Sequence, residues 1–213
     1  MEDKYKITHD SYNRLAKAYE EKFMENPLYI DSYDDFCRFV TKKNATIFDI
    51  ACGPGNISKY LLNKRPDYQI FGIDVAPNMI KLAKKNNPTA EFQTMDCRDI
   101  NTVNKQFDAA ICGFGLPYIS KEDAIDLIAN VSKLISKGGY LYLSTMENDY
   151  EKSGVTKSSS SEDMAYIYYH SFDYLQSALN DNELSIVDFF RKDYPEQDGT
   201  NTIDLFIIAQ KNL

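Results

Sequence analysis

Residues 47–56 read Ile-Phe-Asp-Ile-Ala-Cys-Gly-Pro-Gly-Asn, an apolar run followed by a loop with two glycines. This pattern predicts a buried β-strand that leads through the loop into a helix, and open α/β sheets bind their ligands at such strand ends. A dinucleotide is one candidate ligand, because Gly-x-Gly after a strand also occurs in dinucleotide-binding proteins. Three features argue against it. Ser58 stands where a third glycine would be, Pro54 lacks the N–H that a pyrophosphate needs, and Asp49 would repel a diphosphate.

Outward from this loop, short apolar runs alternate with amphipathic stretches. The strand-like runs cover residues 46–51, 69–75, 91–95, 107–112, 140–146, 184–190 and 202–209. The helix-like stretches cover residues 57–64, 78–86, 122–135 and 172–180. This alternation predicts the α/β class, with a Rossmann-like doubly wound sheet of seven strands. Because only a turn-rich stretch at 194–199 separates the last two runs, we expect a hairpin there and an antiparallel last strand.

The chain before residue 45 has a different texture, rich in Tyr, Lys and Glu, and predicts two helices. The first carries an apolar stripe at helical spacing, through Leu15, Ala18, Tyr19, Lys22 and Phe23. The second covers residues 29–43, with a stripe through Tyr33, Phe36, Cys37 and Val40. We therefore divide the chain into an N-terminal helical cap, residues 1–44, and an α/β domain, residues 45–213.

The composition narrows the classes of function. The 213 residues carry 24 Lys and Arg against 32 Asp and Glu, a formal charge of −8. With no basic cluster, this balance argues against a nucleic-acid partner. No apolar run is long enough to span a membrane and the start has no signal-peptide core, so we expect a cytoplasmic protein without a membrane partner. The four cysteines form no Cys-x-x-Cys pair, so we expect neither a metal site nor a disulfide framework.

Acidic residues also close the next two strand-like runs. Asp74 lies 74 − 55 = 19 residues after Gly55, near the spacing at which an acid accepts hydrogen bonds from ribose hydroxyls. Asp96 closes the following run, and Phe-Asp-Ala-Ala at 107–110 leads into Gly-Phe-Gly at 113–115. Since parallel strands end at one edge of a sheet, these residues should meet there.

In this order the elements resemble the class I S-adenosylmethionine-dependent methyltransferases over residues 45–213. The matching stretches are Asp-Ile-Ala-Cys-Gly-Pro-Gly at 49–55, Gly-Ile-Asp-Val-Ala-Pro-Asn-Met at 72–79, Met-Asp-Cys at 95–97, Phe-Asp-Ala-Ala at 107–110 and Leu-Ile-Ser-Lys-Gly-Gly-Tyr-Leu at 134–141. The resemblance implies an enzyme that uses S-adenosyl-L-methionine and releases S-adenosyl-L-homocysteine. Ala51 departs from the pattern, because the family often has a glycine there, and we expect a slight backbone adjustment.

The resemblance also implies a cofactor site. Its twelve residues are Tyr19, Asp49, Ala51, Gly53, Gly55, Asp74, Val75, Met79, Asp96, Cys97, Gly113 and Phe114. The methionine moiety is expected against Asp49 and the backbone of residues 53–55, and the ribose hydroxyls against Asp74. Tyr19, or Tyr12 beside it on the lead-in helix, supplies one contact from above.

The remaining residues of the implied site are expected at the adenine and near the methyl group. Adenine is expected between Val75 and Met79, with its amino group on Asp96 and a ring nitrogen on the Cys97 N–H. Residues 113–114 line the methionine side near the methyl group. Residues 113–116 lack an Asn-Pro-Pro-Tyr motif, so they offer no polar clamp for a planar amide or a base amine.

Three functions follow from these features. The first is transfer of a methyl group to a small-molecule acceptor by a monomer or homodimer, with no nucleic acid and no membrane as partner. The second is a non-catalytic S-adenosylmethionine-binding module that acts through a partner. The third, a nicotinamide-dependent oxidoreductase, is disfavoured by the loop chemistry.

A catalytic base is hard to assign from the sequence. His170 is a weak candidate because the ordinary histidine pKa lies near neutrality. The other candidates are Glu196, Asp149, Tyr118, Tyr166, Tyr168, Tyr169 and Tyr194.

Residues 147–163 fit neither pattern, since a polar stretch with four serines at 158–161 runs into an aromatic cluster. Loops on a rigid scaffold often carry binding residues. We expect the acceptor site to be roofed by the lead-in helix and by residues 147–170, with residues 158–161 as a hinge.

Overall fold

The computed structural model describes residues 4–157, 164–195 and 201–213. The strands are β1 (Thr46–Ile50), β2 (Gln69–Asp74), β3 (Glu91–Thr94), β4 (Phe107–Gly113), β5 (Ile135–Glu147), β6 (Gly154–Lys157), β7 (Met164–Ile167), β8 (Leu184–Pro195) and β9 (Asn201–Lys211). The helices are α1 (Lys4–Phe23), α2 (Ile30–Phe39), α3 (Asn56–Lys64), α4 (Pro77–Asn86), α5 (Lys121–Leu134) and α6 (Phe172–Asp181). In these ranges no helix is long and apolar enough to cross a membrane.

Seven strands form one sheet in the order β3-β2-β1-β4-β5-β9-β8. The pairs among β1 to β5 are parallel, whereas β9 runs antiparallel to both β5 and β8. This is the predicted doubly wound sheet with an antiparallel last strand, so the fold prediction is confirmed. The turn at 196–200 lies outside the described residues.

The central strand β1 is buried on both faces, as its unbroken apolar run predicts. Phe48 and Ile50 point into a core shared with α5 and α6. Ile47 points the other way, into a core that contains Phe36 of α2 and Leu61 of α3. The sheet therefore lies between two helical layers, and all four loops that follow β1 to β4 emerge at one edge.

The predicted buried face is observed for α2 but not for α1. The α2 stripe is buried as expected, with Tyr33, Phe36 and Val40 in the core. The prediction of a buried apolar stripe on α1 is wrong, because Ala18 and Lys22 are exposed. The buried residues of α1 are instead Thr8, Ser11 and Ala16. The physical reason is that α1 meets two partners: Ala16 packs on Met79 of α4, and Thr8 and Ser11 hydrogen-bond to β7. The division at residue 44 stays a prediction.

Part of the predicted polar linker is ordered as strands. β6 and β7 pair as an antiparallel ribbon beside the main sheet. The ribbon packs on α1, where the Ser11 hydroxyl donates to the Met164 carbonyl at 2.9 Å and the Tyr166 N–H donates to the Thr8 hydroxyl at 3.1 Å. The proposed hinge at 158–161 lies outside the described residues.

Candidate functional site

A cavity lies at the carboxyl ends of β1 to β4, with α1 across it. It encloses about 710 Å³ that is partly open to solvent. We call the strand ends and their loops the floor and α1 the roof. The lining residues are Thr8, His9, Tyr12, Tyr19, Ala51, Gly53, Asp74, Val75, Met79, Met95, Asp96, Cys97, Gly113, Phe114, Gly115, Tyr118 and Ile119.

Ten of the twelve residues expected at the cofactor line this one cavity. They are Tyr19, Ala51, Gly53, Asp74, Val75, Met79, Asp96, Cys97, Gly113 and Phe114. The remaining two, Asp49 and Gly55, lie behind the lining. Gly55 is held by packing, because a Cβ there would lie 2.4 Å from the Asn87 amide nitrogen and 3.2 Å from the Ala83 Cα.

Two non-glycine residues of the floor adopt a left-handed backbone. Ala51 has a φ of 55° and Phe114 a φ of 54°. Such angles are strained for residues with a Cβ and often occur at functional sites. At Ala51 the family's usual glycine would relieve the strain, so the expected backbone adjustment takes the form of a strained alanine. The Phe114 N–H donates to the Ser144 hydroxyl at 3.0 Å, which helps to hold this conformation.

Asp49 is fully buried beneath the loop. One carboxylate oxygen accepts a hydrogen bond from the Ser58 hydroxyl at 2.5 Å. Oδ1 has no hydrogen-bond partner among the described residues. Burial raises the pKa of this carboxyl to about 7, although the Ser58 hydroxyl lowers it. Ser58, which the sequence marked only as a missing glycine, thus contacts the acid of the loop.

Asp74 connects the loops that follow β1 and β2. Its carboxylate accepts from the Gly53 N–H and from the Ala76 N–H, both at 2.9 Å. Burial raises the pKa of Asp74 to about 6, although these two N–H groups lower it. The carboxylate that is expected at the ribose therefore also fixes the loop of residues 51–55.

Asp96 is engaged by the guanidinium of Arg98, with Nη2 donating to Oδ2 at 2.6 Å. Its Oδ1 also accepts from the Arg98 backbone N–H at 2.9 Å. Burial raises the pKa of Asp96, but the hydrogen bonds from Arg98 outweigh it and the pKa lies below its usual value. The carboxylate is thus an ionised acceptor at the end of β3.

The roof places one face of α1 against the floor. Thr8, Tyr12 and Tyr19 lie four and seven residues apart, so they share a helical face. The Tyr12 and Tyr118 hydroxyl oxygens lie 2.5 Å apart. Near the other end of α1, the Tyr19 ring lies 3.8 Å from where a Cβ on Gly53 would stand.

Sequence reasoning missed several lining residues. They are Thr8, His9, Met95 and Ile119; Gly115 was expected at the sheet edge, Tyr118 was named only as a candidate base, and Tyr12 only as an alternative to Tyr19. The helical spacing of His9 and Tyr12 was an available signal, because it places both on the face that carries Tyr19. The lining residues after β4 carried no such signal.

His170 is not at the cavity, which corrects its candidacy as the base. It is fully buried, and its Nε2 donates to the Leu116 carbonyl at 2.8 Å. Nδ1 therefore accepts from the Tyr174 hydroxyl. Burial lowers the pKa of His170 to about 4, so the ring is neutral and joins the turn after β4 to α6.

The expected roof is half right in its geometry. α1 lines the cavity, whereas no residue of the ribbon does so among the lining residues described above. The ribbon supports α1 from behind, and it reaches the floor where the Tyr168 N–H donates to the Pro117 carbonyl at 2.8 Å. In the described part of the chain, no group of three or more His, Cys, Asp or Glu side chains could hold a metal.

The fold and site define an open α/β protein with its ligand cavity at the carboxyl ends of the parallel strands. Residues 47–139 match the family described as "Methyltransferase domain". A putative methyltransferase of Bacillus subtilis, YqeM, is 28% identical over 83% of this chain and 70% of its own length. A malonyl-[acyl-carrier protein] O-methyltransferase of Acetivibrio thermocellus is 32% identical over 61% of this chain and 44% of its own.

A viral relative, putative methyltransferase 235L of invertebrate iridescent virus 6, is 31% identical over 54% of this chain. The match covers only 42% of that protein, so the chain spans less than half the length of two of these three relatives. Among solved structures, magnesium protoporphyrin IX methyltransferase of Synechocystis superposes with a TM-score of 0.72 at 18% identity. That superposition covers 100% of this chain and 99% of the other.

Residues 47–139 thus match a methyltransferase domain, and the described chain has the Rossmann-like fold of the S-adenosylmethionine-dependent methyltransferases on which it superposes.

Proposed function

We propose that this chain binds S-adenosylmethionine in the cavity and transfers its methyl group to a small-molecule acceptor. The observation that carries the proposal is the convergence of ten separately predicted residues on one cavity at the sheet edge. These residues come from α1 and from four different strand ends, so local sequence alone does not bring them together.

The residues present fit the cofactor. Asp49 offers a buried carboxylate oxygen without a partner among the described residues, which suits the ammonium group of a methionine moiety. Gly113 is required by packing beneath the floor, since a Cβ there would lie 2.2 Å from Ile57 Cδ1. Asp74 and Asp96 supply the acceptors for ribose hydroxyls and an adenine amine, and Val75 and Met79 supply apolar walls.

S-adenosylmethionine supplies an activated methyl group on a positively charged sulfur. The protein then has to align the acceptor with the carbon–sulfur bond and to exclude water. The floor fixes one side of the cavity through the hydrogen bonds of Asp74. The roof covers it with Tyr12 and Tyr19, so that α1 limits both the access and the orientation of an acceptor.

Two features support a small acceptor. The cavity lies under a helix that contacts the floor through the Tyr12 and Tyr118 hydroxyls, so α1 covers part of it. The net charge of −8 disfavours RNA, although one relative is named as a tRNA N(3)-methylcytidine methyltransferase. RNA binding at physiological salt, with a steep salt dependence, would overturn this part of the proposal.

The cofactor half is tested by calorimetry with S-adenosylhomocysteine. We expect Asp74→Ala to weaken binding by about 1.5–3 kcal/mol, the range for hydrogen bonds to a charged group. Asp99→Ala is the matched control, because Asp99 is an exposed acid close to the site that does not line the cavity. Equal affinities for the two variants would remove Asp74 from the site. Cofactor binding without methyl transfer to any member of a broad acceptor panel would favour the non-catalytic alternative.

A further inference from the structure

The charged groups of the cavity are unevenly distributed. Its lining includes the carboxylates Asp74 and Asp96 and the imidazole of His9. No Lys or Arg is among the lining residues described. Arg98, next to the lining, is committed to Asp96 through an ion pair of 2.6 Å and stacks over the Tyr5 ring. Residues 1–3, 158–163 and 196–200 contain no Lys or Arg, so those segments add no cation.

A carboxylate or phosphate acceptor needs a cationic partner when it leaves water. Among the lining residues described, the imidazole of His9 is the one group that could carry a positive charge, whereas the carboxylates of Asp74 and Asp96 would repel such an anion. The backbone N–H groups of the glycine loop could donate to an anionic acceptor. The carboxylate of the bound cofactor would already occupy them. The site is therefore poorly suited to anionic acceptors.

The aromatic groups favour the opposite charge. Tyr12, Tyr19, Phe114 and Tyr118 all line the cavity. The Tyr12 ring lies 4.8 Å from the Tyr118 ring and 5.9 Å from the Tyr19 ring, measured between centroids. Aromatic faces attract ammonium groups, and desolvation strengthens that attraction.

The hydroxyl pair of Tyr12 and Tyr118 points to the same class of acceptor. With the oxygens 2.5 Å apart, one hydroxyl donates to the other, and the pair places two polar oxygens beside the aromatic rings at the cavity wall. Burial and the neighbouring tyrosines raise the pKa of Tyr118 well above its usual value, so it stays protonated at neutral pH. Tyr118 is thus a hydrogen-bonding group rather than a base that could activate a hydroxyl acceptor.

We propose that the methyl acceptor is a small primary or secondary amine that binds against the rings of Tyr12 and Tyr118. The inference rests on the proposed function and names the substrate class of the same site. The bound ammonium first loses a proton to solvent. The uncharged amine then attacks with its lone pair, a nitrogen–carbon bond forms, and the carbon–sulfur bond breaks with its electron pair staying on sulfur. A second proton then leaves the nitrogen for solvent.

Three probes of similar shape and different charge test the preference. Benzylamine, benzyl alcohol and benzoate are titrated into the protein saturated with S-adenosylhomocysteine at pH 7.5. We expect benzylamine to bind about tenfold more tightly than benzoate, as one cation–aromatic contact predicts. Benzoate binding as tightly as benzylamine, or more so, would overturn the inference. Failure of S-adenosylhomocysteine itself to bind would instead contradict the proposed function.

Turnover gives a second measure. With S-adenosylmethionine and a panel of amines, phenols and carboxylic acids, mass spectrometry should find N-methylated products. Methyl esters or ethers as the main products would overturn the inference.

Variants of the aromatic wall separate the ring from the hydroxyl. Tyr118→Leu should lose most of the benzylamine preference, whereas Tyr118→Phe, which keeps the ring, should retain it. If Tyr118→Leu does not fold, Tyr12→Leu on the roof tests the same point. An unchanged preference in the leucine variant would contradict the placement of the amine.

Discussion

The loop after β1 and the helix α1 face each other across the cavity, but they are held in different ways. The loop is fixed by backbone geometry and close packing, with Gly55 pressed against α4 and Gly53 hydrogen-bonded to Asp74. α1 is held by a small apolar cluster of Ala16 with Met79 of α4 and by side-chain hydrogen bonds. Asn13 accepts two hydrogen bonds from Asn78, and Glu20 accepts from the Asn86 amide at 2.7 Å. The floor is thus part of the folded core, whereas the roof is attached by polar contacts and one small apolar cluster.

Removal of residues 1–25 is the strongest way to break this contrast. The two large cores contain no buried residue of α1, so the sheet should remain folded. Affinity for S-adenosylhomocysteine should fall on the order of 100-fold, because the tyrosine and hydrogen-bond contacts of the roof are lost. Calorimetry measures the affinity, and circular dichroism reports the fold. A truncated chain with full affinity and turnover would reduce α1 to packing only.

A single substitution in the floor, unlike removal of α1, should lower the stability of the whole fold. Gly55→Ala places a Cβ at a φ of 79° and against the Ala83 backbone. We expect a loss of about 2–4 kcal/mol in the free energy of unfolding, from left-handed strain and overpacking. Gly154→Ala is the control, because nothing lies within 4 Å of its Cβ position. Urea denaturation compares the two, and equal losses would show that the loop is not tightly packed.

The buried carboxyl of Asp49 makes the stability of the floor depend on pH. Its pKa in the folded protein, about 7, lies above the unfolded value, so its stabilising effect is complete below about pH 4 and is lost as the pH rises through 7. Asp49→Asn should therefore gain stability relative to the parent protein by a few kcal/mol between pH 4 and pH 8. His170, whose pKa is lowered, is common to both proteins and cancels in the difference.

Urea denaturation at several pH values measures this difference. A difference between Asp49→Asn and the parent that does not change with pH would contradict the raised pKa of Asp49.

The smallest expected effect concerns the contact between roof and floor. Tyr12→Phe removes one partner of a single hydrogen bond, which should cost about 0.5–1.5 kcal/mol. Tyr118→Phe should cost a similar amount, and the double variant little more than either, because both hydroxyls share the same bond. Amide hydrogen exchange in α1 is the measurement. Additive losses would mean that the two hydroxyls act independently.

The sequence predicted the floor well because its determinants are local. An apolar run, a glycine loop and an acid at a strand end each act within a few residues, and Asp74 and Asp96 end on the same sheet edge by topology alone. Ser58 shows the limit of this reasoning. It was noted as an absent glycine, while its contact with Asp49 depends on the position of α3.

The roof was predicted poorly because its determinants are distant in sequence. Tyr12 and Tyr118 are 106 residues apart, and β7 meets Ser11 across 153 residues. An apolar stripe was expected on α1, but its buried face is selected by hydroxyl and amide partners. His170 failed as a base for the same reason, since only the fold shows that the Leu116 carbonyl and the Tyr174 hydroxyl occupy its ring.

The polar character of the roof contact has a consequence for solubility. The buried face of α1 consists of small side chains such as Thr8, Ser11 and Ala16. A movement of α1 away from the floor would therefore uncover small polar groups and hydroxyl-bearing rings rather than a broad aliphatic surface. Large exposed apolar patches promote aggregation. We therefore expect displacement of α1 to promote little aggregation, because it uncovers few large aliphatic side chains.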